Sequence, residues 1–188
     1  MAKLYFRYSA MNAGKSTSLL QIAYNYEEQG QSVMLFTAGI DDRSGKGCIA
    51  SRLGLKRSAN VFDDSTDFAG LLRSSPVPAC VLVDESQFLL PAQVRQLHQS
   101  AHLQNIPVIC FGLRSDFQGN PFPGAAHLLT LADDIEEIKT ICACGRKATM
   151  NVRFDSHGLR VRKGDQIEIG GNSSYIQVCA RCFYREIL

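Results

Sequence analysis

The chain has 188 residues, 45% of them hydrophobic and 20% charged, with a formal net charge of +2. That suits one domain of ordinary size with a small appendage and excludes a disordered chain. The slight charge gives nucleic acid or an anionic membrane no field to follow, and no apolar run approaches the ~20 residues of a membrane span.

Leu4-Tyr5-Phe6 reads as a strand. It lies so close behind Met1 that we expect no secretory signal and a cytoplasmic protein. Ser9-Ala10-Met11-Asn12-Ala13-Gly14-Lys15-Ser16 follows, then a helical pattern from Lys15 to Gln29 with Leu19, Ile22, Ala23 and Tyr26 on one face and Gly30 as its stop. The octapeptide fits the P-loop template at Gly14, Lys15 and Ser16, with Ser9 where the first glycine is expected. In such a loop the backbone N–H groups turn inward at a helix N-terminus and hold phosphate. Lys15 then reaches the terminal phosphates, and the Ser16 hydroxyl ligates Mg²⁺. The bland alternative is a strand–turn–helix that happens to contain GKS.

Ser32 to Ala38 reads as a second, mostly buried strand. Residues 39–58, rich in Gly, Ser and charge and including Asp41-Asp42-Arg43, read as a long irregular connection. A helix is expected from Asp63 to Ser74, with Phe68, Leu71 and Leu72 buried and Pro76 and Pro78 ending it. The apolar run Cys80-Val81-Leu82-Val83, closed by Asp84-Glu85, suits a central parallel strand buried on both faces. In P-loop enzymes the strand that runs beside the loop ends in an aspartate that serves Mg²⁺, a role Asp84 fits. Glu85 falls where ligands bind in open α/β sheets, and a carboxylate there can take a proton from an attacking hydroxyl. The pair alone could equally cap a strand or face solvent. Pro91 to Gln104 reads as a helix with Val94, Leu97, Ala101 and His98 inward; His102, His127 and His157 have no partner motif. Pro107 to Leu113 is the next buried strand, Leu128 to Leu131 another, and residues 132–139 fit helix or strand. Strands alternating with helices imply an α/β fold, a parallel sheet covered on both sides.

Seven cysteines in a reducing compartment do not suggest disulfides. Cys48, Cys80 and Cys110 are isolated and read as inert thiols. Cys142 and Cys144, with Cys179 and Cys182, supply four thiolates in two pairs, the pattern of a closed structural zinc site; the alternative is four free thiols in a small, strand-poor region. The texture changes near Thr140, so we divide the chain into 1–140 and 141–188.

Met11, Asp84-Glu85-Ser86-Gln87-Phe88, the stretch Gly112 to Gly119, Ile169-Gly170-Gly171, Tyr175 and Cys179-Ala180-Arg181-Cys182 together resemble the type II thymidine kinase family, bacterial branch. The resemblance runs from Tyr5 to Cys182, with departures at Ser9, at Ser86 and in the C-x-C spacing of the first cysteine pair. It implies a P-loop (RecA-like) kinase domain over 1–140 and a zinc-binding domain over 141–188 that covers the substrate. The implied reaction moves the γ-phosphate of ATP–Mg²⁺ to the 5′-hydroxyl of thymidine, and of deoxyuridine less well. By the same resemblance Ser9 to Ser16 and Asp84 to Gln87 bind ATP, Ser16 and Asp84 serve Mg²⁺, Glu85 is the general base, and Arg43 steadies the transferring phosphate. Met11, Phe88, Leu113, Phe117, Phe122, Ile169, Gly170, Gly171 and Tyr175 would surround thymidine. Plain core is an equal reading for Leu113 and a weaker one for Phe117 and Phe122. A homotetramer and feedback inhibition by thymidine triphosphate are also implied. The rival class is a zinc-ribbon, nucleic-acid-binding P-loop ATPase, which calls for a basic stripe; Arg160, Arg162 and Lys163 are the only short cluster and read as a solvated hairpin face.

Overall fold

The computed structural model describes residues 1–40, 45, 47–74, 76–167 and 175–185. Arg43, Ile169, Gly170 and Gly171 lie outside the described residues, as do Asp41 and Asp42.

The elements in chain order are β1 (Leu4–Tyr8), α1 (Lys15–Glu28), β2 (Val33–Ala38), β3 (Cys48–Ala50), β4 (Lys56–Ser58), β5 (Asn60–Phe62), α2 (Phe68–Ser74) and β6 (Cys80–Val83). A 3₁₀ turn at Ser86–Phe88 leads to α3 (Pro91–Leu103), β7 (Val108–Gly112), α4 (Pro123–Leu131), β8 (Asp134–Glu137) and β9 (Thr140–Ile141). The chain continues with β10 (Lys147–Ala148), β11 (Met150–Phe154), β12 (Arg160–Val161), β13 (Tyr175–Val178) and α5 (Ala180–Tyr184).

Six strands form one sheet in the order β5-β2-β6-β7-β1-β8, and every pairing in it is parallel. Successive side chains on a strand point to opposite faces, and the two cores follow that alternation. Val81, Val83, Val108 and Cys110 join Phe6 and Phe36 beneath α2, α3 and α4. Cys80, Leu82, Ile109 and Phe111 join Leu19, Leu20 and Ala23 of α1 on the other face. Burial on both faces is why these strands read as unbroken apolar runs. The edge strand β8 is acidic and exposed, and Arg7 of β1 pairs with Glu136 at 3.3 Å. Charge on an edge discourages further pairing.

Several sequence expectations are corrected. Leu128–Leu131 is the end of α4, not a strand; Gly124, Ala125 and Leu128, at helical spacing, are its buried positions. A short apolar run carries too few turns for its period to separate helix from strand. Residues 134–137 of the undecided segment form a strand. Helix α2 starts only at Phe68, because Asp63 Oδ1 accepts from the Ser65 N–H at 2.9 Å and holds a turn. Phe68 and Leu72 own its buried face, and Leu71 is exposed. The irregular connection contains the hairpin β3–β4, tied to α1 by the Arg57–Glu27 ion pair. His102, given no partner from sequence, meets Asp133 Oδ2 at 3.0 Å. The region after Thr140 is not strand-poor: β9–β10 and the antiparallel sheet β12-β11-β13 build it around a third core of Cys142, Ala148, Val152, Val178, Cys179 and Phe183.

Candidate active site and cysteine cluster

A cleft of about 640 Å³ opens at the carboxyl ends of the parallel strands. That is the usual ligand position in an open α/β sheet and an ordinary ligand volume. The loop after β1 forms one wall. Its positive backbone φ angles fall at Asn12 (62°) and Gly14 (85°), not at Ser9, so a side chain is tolerated where the template expects its first glycine. Gly14 is the position that needs glycine, since L-residues rarely adopt that φ. Ser9 is anchored by its N–H to the Gly112 carbonyl at 3.2 Å. Its hydroxyl accepts from Lys15 Nζ at 3.0 Å. Lys15 is thus buried along its stem, with its ammonium held at the loop.

Strand β6 brings the carboxylates. In the sheet β7 stands between it and β1, and Asp84 at its end reaches Ser16. Asp84 Oδ2 accepts from the Ser16 hydroxyl at 2.8 Å. Burial, and then the charge of Glu85 beside it, push the Asp84 carboxyl up to about 7, against the pull of Ser16 and Lys15. Ser16 and Asp84 are hard oxygen donors, and their spacing is close to the ~2.9 Å edge of an octahedron built on Mg²⁺–O bonds of about 2.0–2.1 Å. The pair fits such a cation.

Glu85 turns the chain. Its φ of 51° is left-handed, an unfavourable conformation for a glutamate that brings its side chain to the same cleft as Asp84. Gln87, almost fully buried, donates to Glu85 Oε2 at 2.6 Å and accepts from the Leu113 N–H at 3.0 Å. Gly112 makes this possible: a Cβ there would come within 2.7 Å of both Gln87 Oε1 and Ser86 Oγ. Sequence reasoning grouped Gln87 with phosphate binding and did not see this bridge. Ser86 is wholly buried and does not line the cleft; nor do Ser9 and Ala10. Met11 to Ser16, Asp84, Glu85 and Gln87 all do.

Part of the lining is apolar. Phe88, Leu113, Phe117, Phe122 and Tyr175 line the cleft together with Met11. Phe122 also belongs to the main core, with its ring edge-on to Phe88 at 5.8 Å. Core and pocket wall are therefore one surface at Phe122, not alternatives. Phe117 is buried under the Arg153 guanidinium, 4.0 Å above its ring centroid. Asp116 organises the same loop by accepting from the N–H groups of Gln118 and Asn120 and from Gln166 Nε2. The sequence also concealed a further rim, Ser51, Arg52 and Leu53 at the tip of the β3–β4 hairpin, and Asn151 of β11. No local motif marks these residues. Cys48, read as inert, lines the cleft as well.

Cys142, Cys144, Cys179 and Cys182 converge, with their sulfurs all within 4.8 Å of one another. The Cys144–Cys179 separation is 3.6 Å, near the ~3.8 Å edge of a tetrahedron with 2.3 Å Zn–S bonds. The Arg146 backbone N–H and the neighbouring thiols pull Cys144 down to about 6, while Cys144 and Cys179 push Cys182 up to about 12. Four sulfurs this close cannot all ionise without a cation among them, so the donor set fits zinc. Arg160, from the basic trio, is not merely solvated: it lies over the Phe183 ring and donates to its carbonyl at 2.7 Å. Among the described residues no helix is long and apolar enough to cross a membrane.

The family model described as thymidine kinase matches residues 2–183. A protein of Chromobacterium violaceum named thymidine kinase is 61% identical over 186 residues, covering 99% of this chain and 100% of that relative. Namesakes from Albidiferax ferrireducens (55% identical; 98% of this chain, 93% of the relative) and Idiomarina loihiensis (56% identical; 96% and 95%) are also similar. A solved Pif1 helicase of Candida albicans overlaps 74% of this chain and 36% of its own at 15% identity with a TM-score of 0.41, too loosely to bear on function. On its own sequence, over nearly its full length, the chain belongs to the thymidine kinase family.

Proposed function

We propose that this chain is a thymidine kinase that moves the γ-phosphoryl group of ATP to the 5′-hydroxyl of thymidine, giving thymidine monophosphate and ADP. One observation carries the reading: a phosphate-type loop, two carboxylates and a set of aromatic and apolar side chains line a single cleft. The triphosphate lies along residues 11–16, with Lys15 against its terminal phosphates. Ser16 and Asp84 hold magnesium, which when bound neutralises charge on the phosphate oxygens. Glu85 accepts the 5′-hydroxyl proton as that oxygen bonds to the γ-phosphorus and the bond to the ADP oxygen breaks. Gln87 aims Glu85. Because the transition state is loose, positioning and electrostatics supply most of the rate, and Arg43 adds positive charge near the transferring group.

Thymine sits among Met11, Phe88, Leu113, Phe117 and Phe122, with Tyr175 over the sugar. The loop around Ile169, Gly170 and Gly171 meets the edge of the base through backbone groups. The Cys142, Cys144, Cys179 and Cys182 thiolates hold structural zinc, and residues 141–188 act as the covering unit for the nucleotide-binding residues 1–140. The enzyme works in the cytoplasm as a homotetramer restrained by thymidine triphosphate. The nucleic-acid-binding ATPase is not favoured: relatives over the full length are named thymidine kinases, and Arg160 is engaged within the fold.

The test sets thymidine phosphorylation by ATP–Mg²⁺ beside ATPase activity with and without DNA. Thymidine turnover without DNA stimulation is expected, and the reverse would overturn the proposal. Deoxycytidine should be nearly inert, since its N3 and amino group invert thymine's donor and acceptor pattern, and sites built on polar recognition reject such partners by ~10⁴ or more. Deoxyuridine, which lacks only a methyl worth about 1 kcal/mol of packing, should be moderately poorer.

A further inference from the structure

Two side chains of the cysteine-bearing unit touch the phosphate loop directly. Asn151 of β11 and Gln177 of β13 are cross-strand partners, so both stand on the same face of their sheet. Asn151 Oδ1 accepts the Met11 N–H at 2.8 Å, and Asn151 is nearly fully buried. Gln177 Oε1 accepts from Asn12 Nδ2 at 2.7 Å, and Gln177 Nε2 reaches the Ile141 carbonyl at 3.4 Å. Ile141 precedes Cys142, and Gln177 lies two residues before Cys179, so a single amide bridges the loop and the roots of both cysteine pairs. Ala10, just before these contacts in the chain, is buried in the core that holds Cys142 and Cys179.

We infer that Asn151 and Gln177 are positioning residues for the phosphate-binding loop, so the cysteine-bearing unit builds part of the ATP site and does not only cover the nucleoside. This rests on reading residues 9–16 as the phosphate loop. The physical reason is preorganisation. Asn12 is held at a φ of 62°, a conformation that L-residues leave readily when unsupported. The Met11 N–H points to Asn151 and is thereby directed away from phosphate, which leaves the later N–H groups of the loop to face the ligand. A loop already held in its binding shape loses less freedom when the nucleotide arrives. Damage at the cysteine cluster would then weaken nucleotide binding through these two amides.

The experiment measures the dissociation constant of a fluorescent ATP analogue with magnesium, together with zinc content and the KM for thymidine, on the full zinc-loaded chain. Gln177→Ala should weaken nucleotide binding roughly tenfold, as loss of a partly buried hydrogen bond does, with zinc content unchanged and the thymidine KM moving much less. Asn151→Ala should do the same, and where it folds poorly the less buried Gln177 carries the test. Ile176→Ala, on the opposite face of the same strand, should leave nucleotide affinity alone. In a double-mutant cycle with Asn12→Gly, which keeps the backbone conformation, the double variant should be no weaker than the worse single one. Wild-type affinity in a folded, zinc-replete Gln177→Ala variant would overturn the inference, as would losses that simply multiply in the cycle. No nucleotide binding by the wild type would overturn the phosphate-loop reading itself, and this inference with it.

Discussion

Replacing Asp84 with Asn should stabilise the protein while abolishing turnover. Asp84 is buried beside Glu85, and together these raise its carboxyl from the ordinary 3.8 to about 7. The folded state therefore holds a proton that the unfolded chain has already released over the interval between those values. Stability falls as pH rises from about 4 through about 7 and is level above it. Asn is neutral throughout: its oxygen can accept the Glu85 N–H that Asp84 Oδ1 now takes at 3.0 Å, and its amide nitrogen can donate to the Ser16 hydroxyl, which now donates to Asp84 Oδ2 at 2.8 Å. At pH 8 the whole displacement bounds the gain at roughly 4 kcal/mol, at about 1.4 kcal/mol per unit. Between pH 5.5 and 8, about 1.5 units of it are traversed before the plateau, so the gap between variant and wild type should widen by about 2 kcal/mol. Urea unfolding of both proteins, in buffer without magnesium and with zinc retained, reads this directly from the midpoints and slopes. An Asp84→Asn variant no more stable than wild type at pH 8, or a gap that does not shrink toward pH 5.5, would refute the account of Asp84 as a strained carboxylate suited to a cation.

Other substitutions separate the roles within the cleft. Lys15→Met keeps the buried stem and removes the ammonium, so the fold should persist while phosphoryl transfer is lost; near-normal turnover would remove the loop from the mechanism. Glu85→Gln should cut kcat by ~10²–10⁴, the usual worth of general-base assistance, with nucleotide affinity retained; an equal loss of ATP binding would make Glu85 a metal or structural group instead. Cys179→Ser should release zinc and loosen the sheet around Val152 and Val178, because metal binding is folding free energy there. Elemental analysis of freshly purified, unoxidised wild-type protein should find zinc, and less than about half an equivalent would end the four-thiolate reading.

Contiguous motifs were legible in the chain. The loop from Ser9 to Ser16, the apolar run that ends in Asp84-Glu85 and the paired cysteines each announce themselves within a few residues, because their geometry is local: a turn, a strand end, a knuckle. The buried strands were legible for the same reason, since burial on both faces leaves an unbroken apolar run. Short elements were not. α4 was taken partly for a strand, and β5 went unseen, because nine or three residues hold too few repeats for a period to speak.

Local order along the chain names the candidate site residues; packing in three dimensions sets what stands next to them. That β7 rather than β6 lies beside β1, that Gln87 bridges Glu85 and Leu113, and that Asn151 and Gln177 reach back over 140 and 165 residues to Met11 and Asn12 are all facts of chain crossing. A hydrogen bond between residues so far apart leaves no spacing to read, because its partners meet only after the sheet has set the order of its strands and the last strands have packed against the first loop.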